Sequence, residues 1–181
     1  MSRHWIQKYS TRQHRKKGAF VMHAYKTQNV TFDVYEDCVS IRSQEYIFAT
    51  IGNILSKALP IQSKVITAAL DKEQLEHGVS IVNGTLVCHT NFSCVTSRKT
   101  LFVRMSSPLY VDFGQGPSGI DFIACTVGPK HLGALNLRYL SRLTRLFSDT
   151  QLTENLKAVN SVDGMRLLLD DNKSPQKWIA A

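Results

Sequence analysis

The stretch Asn83-Gly84-Thr85-Leu86-Val87-Cys88-His89 decides how the fold of this chain is interpreted. Asn-Gly between two apolar runs is the strongest two-residue signal for a β-hairpin, because both residues tolerate the positive φ angles of a type I′ turn. The flanking runs, residues 79–82 and 85–88, are therefore predicted to be paired strands. His89 follows at the exit of the second strand. The stretch therefore predicts a β-hairpin whose second strand ends next to an accessible histidine at the edge of a sheet.

A second histidine opens the longest helical pattern in the chain. In Lys130-His131-Leu132-Gly133-Ala134-Leu135, His131 precedes apolar residues that recur at helical spacing up to Phe147. The predicted apolar face consists of Leu132, Leu135, Tyr139, Leu140, Leu143, Leu146 and Phe147, and the opposite face carries Arg138, Arg142 and Arg145. We predict that His89 and His131 meet in one shallow site.

Strands and helices alternate along the rest of the chain. Further strands are predicted at residues 30–35, 98–105 and 119–127, and a loop rich in glycine and proline at 106–119. Helices are predicted at 43–59, 61–75, 150–159 and 162–169, with Ser43 and Ser161 as N-caps. This alternation predicts an α/β fold, a single domain in which a mixed β-sheet is covered by helices on both faces.

The positive charge is concentrated in the first thirty residues. The formal net charge is +8, and residues 1–30 hold seven lysines and arginines and no acidic residue. Binding to nucleic acid or to an anionic surface is therefore expected only of this basic segment. Residues 1–27 are predicted to be a basic extension, either disordered or the product of an upstream start codon, since Met22 precedes the first strand. Residues 28–172 form the predicted domain and 173–181 a C-terminal tail.

The sequence predicts a cytoplasmic protein with reduced thiols. It contains no apolar run near the ~18 residues of a membrane span and no apolar core of a secretory signal. The thiols of Cys38, Cys88, Cys94 and Cys125 are then expected to be free. Their spacing, even together with His89, matches no common zinc pattern, so we predict neither a metal site nor a cofactor.

The order of these motifs resembles a known family. A helix, a turn ending in Asn-Gly, four residues and a histidine are followed by two strands and by His-Leu-x-x-Leu at the head of a Leu/Arg-rich helix. Phe147-Ser-Asp-x-x-Leu-x-x-x-Leu then continues the pattern. The chain is similar in these motifs to enzyme IIA domains of the mannitol/fructose type in the bacterial phosphotransferase system, above all to the nitrogen-regulatory branch. The likeness covers about residues 28–170.

The resemblance implies a function and a site. Members of the family accept a phosphoryl group from the phosphohistidine of HPr or of a related carrier, and sugar-transport members pass it to an enzyme IIB domain. His89 matches the histidine that is phosphorylated, and His131 matches the neighbouring histidine that stabilises the phosphoryl group. The resemblance also implies that Asn83 and Gly84, in the turn before the active histidine, help to bind the phosphate.

The chain departs from the family pattern at three places around this histidine. Val82 and Cys88 stand where a glycine and a proline are usual, and the arginine expected after the second helix is replaced by Asp71-Lys72-Glu73. Lys72 is therefore the candidate cation for the phosphate, although it lacks the bidentate fork of arginine.

Three functions stay open at this point. The first is a phosphoryl carrier or a regulator controlled by phosphorylation of His89. The second is an IIA-like binding or regulatory module that no longer transfers phosphate. The third is a protein that binds polyanions through its basic N-terminal segment, with a steep dependence on salt.

Overall fold

Five strands form one mixed sheet in the computed structural model, which describes residues 30–171. Across the sheet their order is β1, β4, β5, β3, β2; β1 runs parallel to β4 and β3 parallel to β5, while the other two pairs are antiparallel. The strands are β1 Val34–Val39, β2 Ser80–Val82, β3 Thr85–Phe92, β4 Lys99–Val111 and β5 Ser118–Pro129. The predictions for residues 1–29 and 172–181, including the basic segment, lie outside the described residues.

Helices cover both faces of this sheet, as the sequence predicts. They are α1 Ile47–Leu55, α2 Ser63–His77, α3 Gly133–Phe147, α4 Thr150–Ala158 and α5 Val162–Asp171. One buried cluster joins α1 and α2 to one face of the sheet, and a second joins α3, α4 and α5 to the other. Within residues 30–171 no helix is both long and apolar enough to cross a membrane. The predicted α/β fold class is confirmed.

Strand β3 sends alternate side chains to the two cores. Leu86 and Cys88 belong to the cluster under α1 and α2, whereas Val87 belongs to the cluster under α3. Because side chains alternate along a strand, His89 lies on the same face as Val87. In the parallel pairing with β5, His89 stands opposite Thr126. Strand β3 therefore fixes the face of the sheet on which the His89 side chain lies and its position along the strand.

The Asn83-Gly84 hairpin is confirmed. Val82 pairs with Thr85, and the φ angles of Asn83 and Gly84 are 45° and 74°. A Cβ on Gly84 would lie 2.7 Å from a carboxylate oxygen of Asp121, and the amide of Asp121 donates to the carbonyl of Gly84 at 2.7 Å. Glycine is thus favoured here by the positive φ angle, and a larger residue would also displace the Asp121 side chain.

Several strand boundaries differ from the prediction. Strand β1 begins at Val34, later than expected, and β4 continues through the predicted loop to Val111. The extension is possible because the β4–β5 register shifts between Arg104 and Leu109, and this irregularity takes up Pro108. Strand β5 likewise runs on to Pro129, which ends the strand opposite Phe92.

The helix boundaries also differ. Ser43 makes no capping bond; a 3₁₀ turn, Gln44–Tyr46, follows it, and α1 begins only at Ile47. Helix α2 begins two residues later than predicted, and a second 3₁₀ turn, Lys130–Leu132, precedes α3. Ser161 is confirmed as a cap, since its hydroxyl accepts a hydrogen bond from the amide of Gly164 at 3.1 Å. Leu135, assigned to the apolar face of the helix after His131, is instead exposed.

Helices α1 and α2 cross closely at Gly52, which generates a first prediction. A Cβ at Gly52 would lie 2.5 Å from the hydroxyl of Thr67 and 2.7 Å from the carbonyl oxygen of Ser63. Gly52→Ala is expected to lower the free energy of unfolding by about 1–3 kcal/mol, because one helix must move. Gly133→Ala is the matched control, since no atom lies within 4 Å of its added Cβ. Urea denaturation measures both; equal stability of the two variants would contradict the close crossing.

Candidate functional site

A cavity of about 560 Å³ opens at the edge of the sheet, between the C-terminal end of α2 and the first half of α3. We call it the edge cavity. Its polar lining consists of Glu73, His77, Ser80, His89, Asn91, Gln115 and Asn136. Leu70, Leu137 and Leu140 supply most of its apolar wall. The cavity therefore gathers residues from two helices, two strands and the β4–β5 loop around His89.

The edge of the sheet is open beside His89 because β2 is too short to cover it. Strand β2 pairs only with residues 85–87 of β3, whereas β3 continues to Phe92. Residues 88–92 consequently have β5 on one side and, within residues 30–171, no strand on the other. Backbone groups on an unpaired strand edge remain available to a ligand. His89 is thus half-buried by its own face of the sheet and accessible at the edge.

The surroundings of His89 favour its neutral form. Burial lowers the pKa of His89 below its ordinary value of 6.5; the charge of Glu73 raises it, and that of His77 lowers it. The burial effect is the largest of the three. An imidazole without a proton on one ring nitrogen keeps a lone pair there, so His89 has the state that a nucleophile needs at neutral pH.

His77 and Glu73 form a pair on the wall of the cavity. They are four residues apart on α2, and Nδ1 of His77 lies 3.1 Å from Oε2 of Glu73. Helix α2 ends at once, because Gly78 follows with a φ angle of 74°. In the sequence analysis His77 received no role. The signals that could have found it are the Glu-x-x-x-His spacing and the glycine after it, but both are common on exposed helices.

An asparagine from α3 fixes the other wall. Nδ2 of Asn136 donates to Oδ1 of Asn91 at 2.7 Å and to the carbonyl of Pro129 at 2.8 Å. Its Oδ1 accepts from Nη2 of Arg98 at 3.0 Å. The network lies over Gly128, where a Cβ would come within 2.8 Å of Asn136. The first half of α3 is thereby held against the ends of β3 and β5.

The structure places His131 near this site but not in the lining of the cavity. Strands β3 and β5 are parallel and Phe92 stands opposite Pro129, so His131 follows β5 at the same end of the sheet as His89. His131 lies in the 3₁₀ turn before α3 and is exposed. The histidine that shares the cavity with His89 is His77.

The three predicted phosphate-binding residues lie elsewhere. Lys72 is exposed on α2 and pairs with Glu76 at 3.7 Å, outside the cavity lining. Asn83 and Gly84 precede β3, roughly 16 to 20 Å along the strand from His89. The side-chain amide of Asn83 donates to the carbonyl of Phe147 at 3.0 Å. The turn therefore holds the hairpin against the end of α3.

The cysteines near His89 are structural. Cys88 and Cys125 stand opposite each other on β3 and β5, and both are buried under α1 and α2. The hydrogen bond to Cys88, together with burial, holds the pKa of the Cys125 thiol well above its ordinary value. Cys88 thus points to the opposite face of the sheet from His89. Among residues 30–171, no group of three or more His, Cys, Asp or Glu could hold a metal ion.

The burial of His89 predicts how stability depends on pH. Because the pKa of His89 is lower in the folded chain than its ordinary value of 6.5, the unfolded chain binds more protons in the window below that value. This contribution to stability is complete above pH 6.5 and is lost as the pH falls through the folded pKa. Urea denaturation from pH 7.5 to 5 should show a steeper loss for wild type than for His89→Gln. Parallel curves would contradict the shift.

The asparagine network predicts a difference between two Asn→Ala changes. Asn136→Ala removes the partner of Asn91, Arg98 and the carbonyl of Pro129, and is expected to lower the free energy of unfolding by about 1–3 kcal/mol. Asn155→Ala is the matched control, because Asn155 is exposed on α4 and its change should stay within about 0.5 kcal/mol. Denaturation of both variants measures the difference; an Asn136→Ala variant as stable as the control would refute the role of the network.

Comparison with solved structures places the fold among IIA proteins. The nitrogen regulatory protein IIA-Ntr of Neisseria meningitidis superposes with a TM-score of 0.64 at 22% identity, over 75% of this chain and 92% of that one. IIA mannitol of Escherichia coli gives a TM-score of 0.57 at 19% identity, over 73% and 92%. The complex of IIA mannitol with phosphorylated IIB mannitol, also from Escherichia coli, gives 0.57 at 15% identity, over 78% and 99%.

A family model covers most of the chain. No curated protein matches the sequence. The model described as "Phosphoenolpyruvate-dependent sugar phosphotransferase system, EIIA 2" matches residues 33–172, which includes every strand and helix described above. The chain therefore belongs to the EIIA 2 family of the phosphoenolpyruvate-dependent sugar phosphotransferase system.

Proposed function

We propose that this chain is a phosphoryl carrier in which His89 accepts a phosphoryl group from the phosphohistidine of an HPr-type protein. One observation carries the proposal: His89 is a half-buried imidazole with a lowered pKa, at an unpaired strand edge that opens into the edge cavity. Membership of the EIIA 2 family supports the same function.

The chemistry requires little beyond this arrangement. The lone pair of a His89 ring nitrogen attacks phosphorus, a new P–N bond forms, and the P–N bond to the donor imidazole breaks with its electron pair left on the donor nitrogen. Overall, the ring proton of His89 ends on the donor imidazole by way of solvent. Phosphoryl transfer of this kind depends mainly on positioning and on hydrogen bonds to the phosphoryl oxygens.

The open site suits a phosphoryl group that must leave again. Nδ2 of Asn91 donates to no other protein atom within residues 30–171, and the backbone of 88–92 is unpaired on its outer edge. These groups are hydrogen-bond donors that a phosphoryl oxygen can use without being enclosed. A shallow site keeps the phosphoramidate accessible to the next recipient.

The rim of the cavity favours a protein as donor and recipient. Leu135 and Leu137, on the first two turns of α3, are both at least half exposed, and Leu137 lines the cavity. An exposed leucine on the rim of a cavity, such as Leu137, suits the binding of another protein. One related structure contains IIA mannitol with phosphorylated IIB mannitol. We therefore propose an enzyme IIB-type domain, or a target protein regulated by the charge on His89, as the next partner.

Intact-mass analysis after incubation with phosphoenolpyruvate, enzyme I and HPr-type donors tests the carrier function. Wild type should gain one phosphoryl mass, the gain should disappear on acid treatment because phosphoramidates are acid-labile, and His89→Gln should not gain it. Circular dichroism of His89→Gln controls for folding.

Two results would overturn the assignment. A gain of mass in folded His89→Gln would place the phosphoryl group elsewhere. No gain by wild type, beside a IIA protein that is phosphorylated by the same mixture, would make the chain a binding module that does not transfer phosphate.

A further inference from the structure

We infer that His77, oriented by Glu73, is the hydrogen-bond donor that holds the phosphoryl group on His89. The inference rests on the proposed phosphoryl-carrier function and assigns the second residue of the same site. His131, which the sequence pattern indicates for this role, lies outside the lining of the cavity.

Charge is the first argument. A phosphoryl group brings up to two negative charges into the edge cavity, and the lining residues include no lysine and no arginine. Besides the nucleophile itself, His77 is the one lining side chain that can carry a positive charge. Lys72, the cation proposed from the sequence, pairs with Glu76 on the neighbouring face of α2. Compensation of the phosphoryl charge therefore falls to His77.

The orientation of the His77 ring is the second argument. Glu73 Oε2 engages Nδ1 at 3.1 Å, which leaves Nε2 to donate to a ligand. The ring stands at the C-terminal end of α2, so a carboxylate and the negative end of a helix dipole both face it. Its side chain is 65% exposed, so an incoming group can reach Nε2.

Proximity to His89 is the third argument. The charges of His77 and Glu73 both act on His89, and all three side chains line the same cavity. The elements that face them add no other charge: α3 contributes Gly133, Asn136, Leu137 and Leu140, and the β4–β5 loop contributes Gln115. Among residues 30–171, Glu73, His77 and His89 are thus the acidic and basic side chains that line the cavity, and Arg98 lies behind Asn136, to which it donates a hydrogen bond.

In the transfer step His77 makes and breaks no covalent bond. The P–N bond to the donor breaks as the P–N bond to His89 forms, and the N–H of His77 donates to a phosphoryl oxygen throughout. The proton stays on His77, because a hydrogen bond to the phosphoryl oxygen stabilises charge without proton transfer. Glu73 is a positioning residue that holds the ring by its other nitrogen.

A titration with inorganic phosphate tests the assignment without any donor protein. Imidazole ¹H–¹⁵N spectra should show the His77 and His89 resonances shifting together, with His131 unmoved. His77→Gln should weaken phosphate binding about tenfold or more, since a charge-assisted hydrogen bond is lost. Equal phosphate affinity of wild type and His77→Gln would overturn the inference, as would a shift at His131 in place of His77.

Glu73→Gln and Glu76→Gln are a matched pair for the positioning role. Both remove one carboxylate from α2, but Glu76 is exposed, pairs with Lys72 and lies outside the cavity lining. Glu73→Gln should move the ¹⁵N shifts of the His77 ring nitrogens and weaken phosphate binding, and Glu76→Gln should do neither. A purely structural role of Glu73 would change stability while leaving those ring shifts unchanged, which would refute the assignment.

The donor reaction separates failure of this inference from failure of the carrier function. With the donor mixture, His77→Gln should still be phosphorylated on His89 but about tenfold more slowly, whereas His89→Gln should not react. If wild type and His77→Gln were phosphorylated at equal rates, the role of His77 would be contradicted, but the carrier function would not. If wild type bound phosphate through His77 but accepted no phosphoryl group, only the carrier function would be contradicted.

Discussion

The unequal length of the two neighbours of β3 is the constraint on which the site depends. Strand β5 pairs with all of β3, from Thr85 to Phe92, whereas β2 pairs with its first three residues only. The long parallel pairing holds the backbone of His89 rigidly, and the short antiparallel pairing leaves its outer edge open. A longer β2 would cover the edge and close the cavity; a shorter β5 would leave the histidine without a fixed position. The accessibility and the rigidity of His89 thus come from opposite sides of one strand.

Much of the fold could be predicted because local signals and burial agree. Asn83-Gly84 has the two positive φ angles that its sequence predicts, and residues 119–127 form a central strand because nearly all of them are apolar. The extension of β4 could not be predicted, since Pro108 ordinarily ends a strand and the register shift that accommodates it is a property of the β4–β5 pair. The exposure of Leu135 could not be predicted for a similar reason. Helical spacing defines the apolar face of α3, but it does not show how much of that face the sheet covers.

The site could be predicted in part. The position of His89 at the edge of the sheet could be predicted because a turn and a strand together fix it, and both are visible in the sequence. The neighbours of His89 depend on how α2 ends against the sheet. Gly78 stops that helix beside the open edge, so Glu73 and His77 face the cavity while Lys72 and Glu76 face outward. A one-residue difference around a helix changes the face by about 100°, and no pattern in residues 71–77 favours one pair over the other.

The central claim is that the fold keeps His89 as a neutral nucleophile at the open edge of β3. The most direct measurement is the protonation curve of its imidazole, followed by NMR between pH 4.5 and 8.5 in the unmodified protein and assigned with His89→Gln. The account predicts a pKa of His89 below its ordinary value of 6.5, because burial disfavours the charged ring. A pKa at or above that value would mean that the ring is solvated or paired with an acid, and would contradict the account.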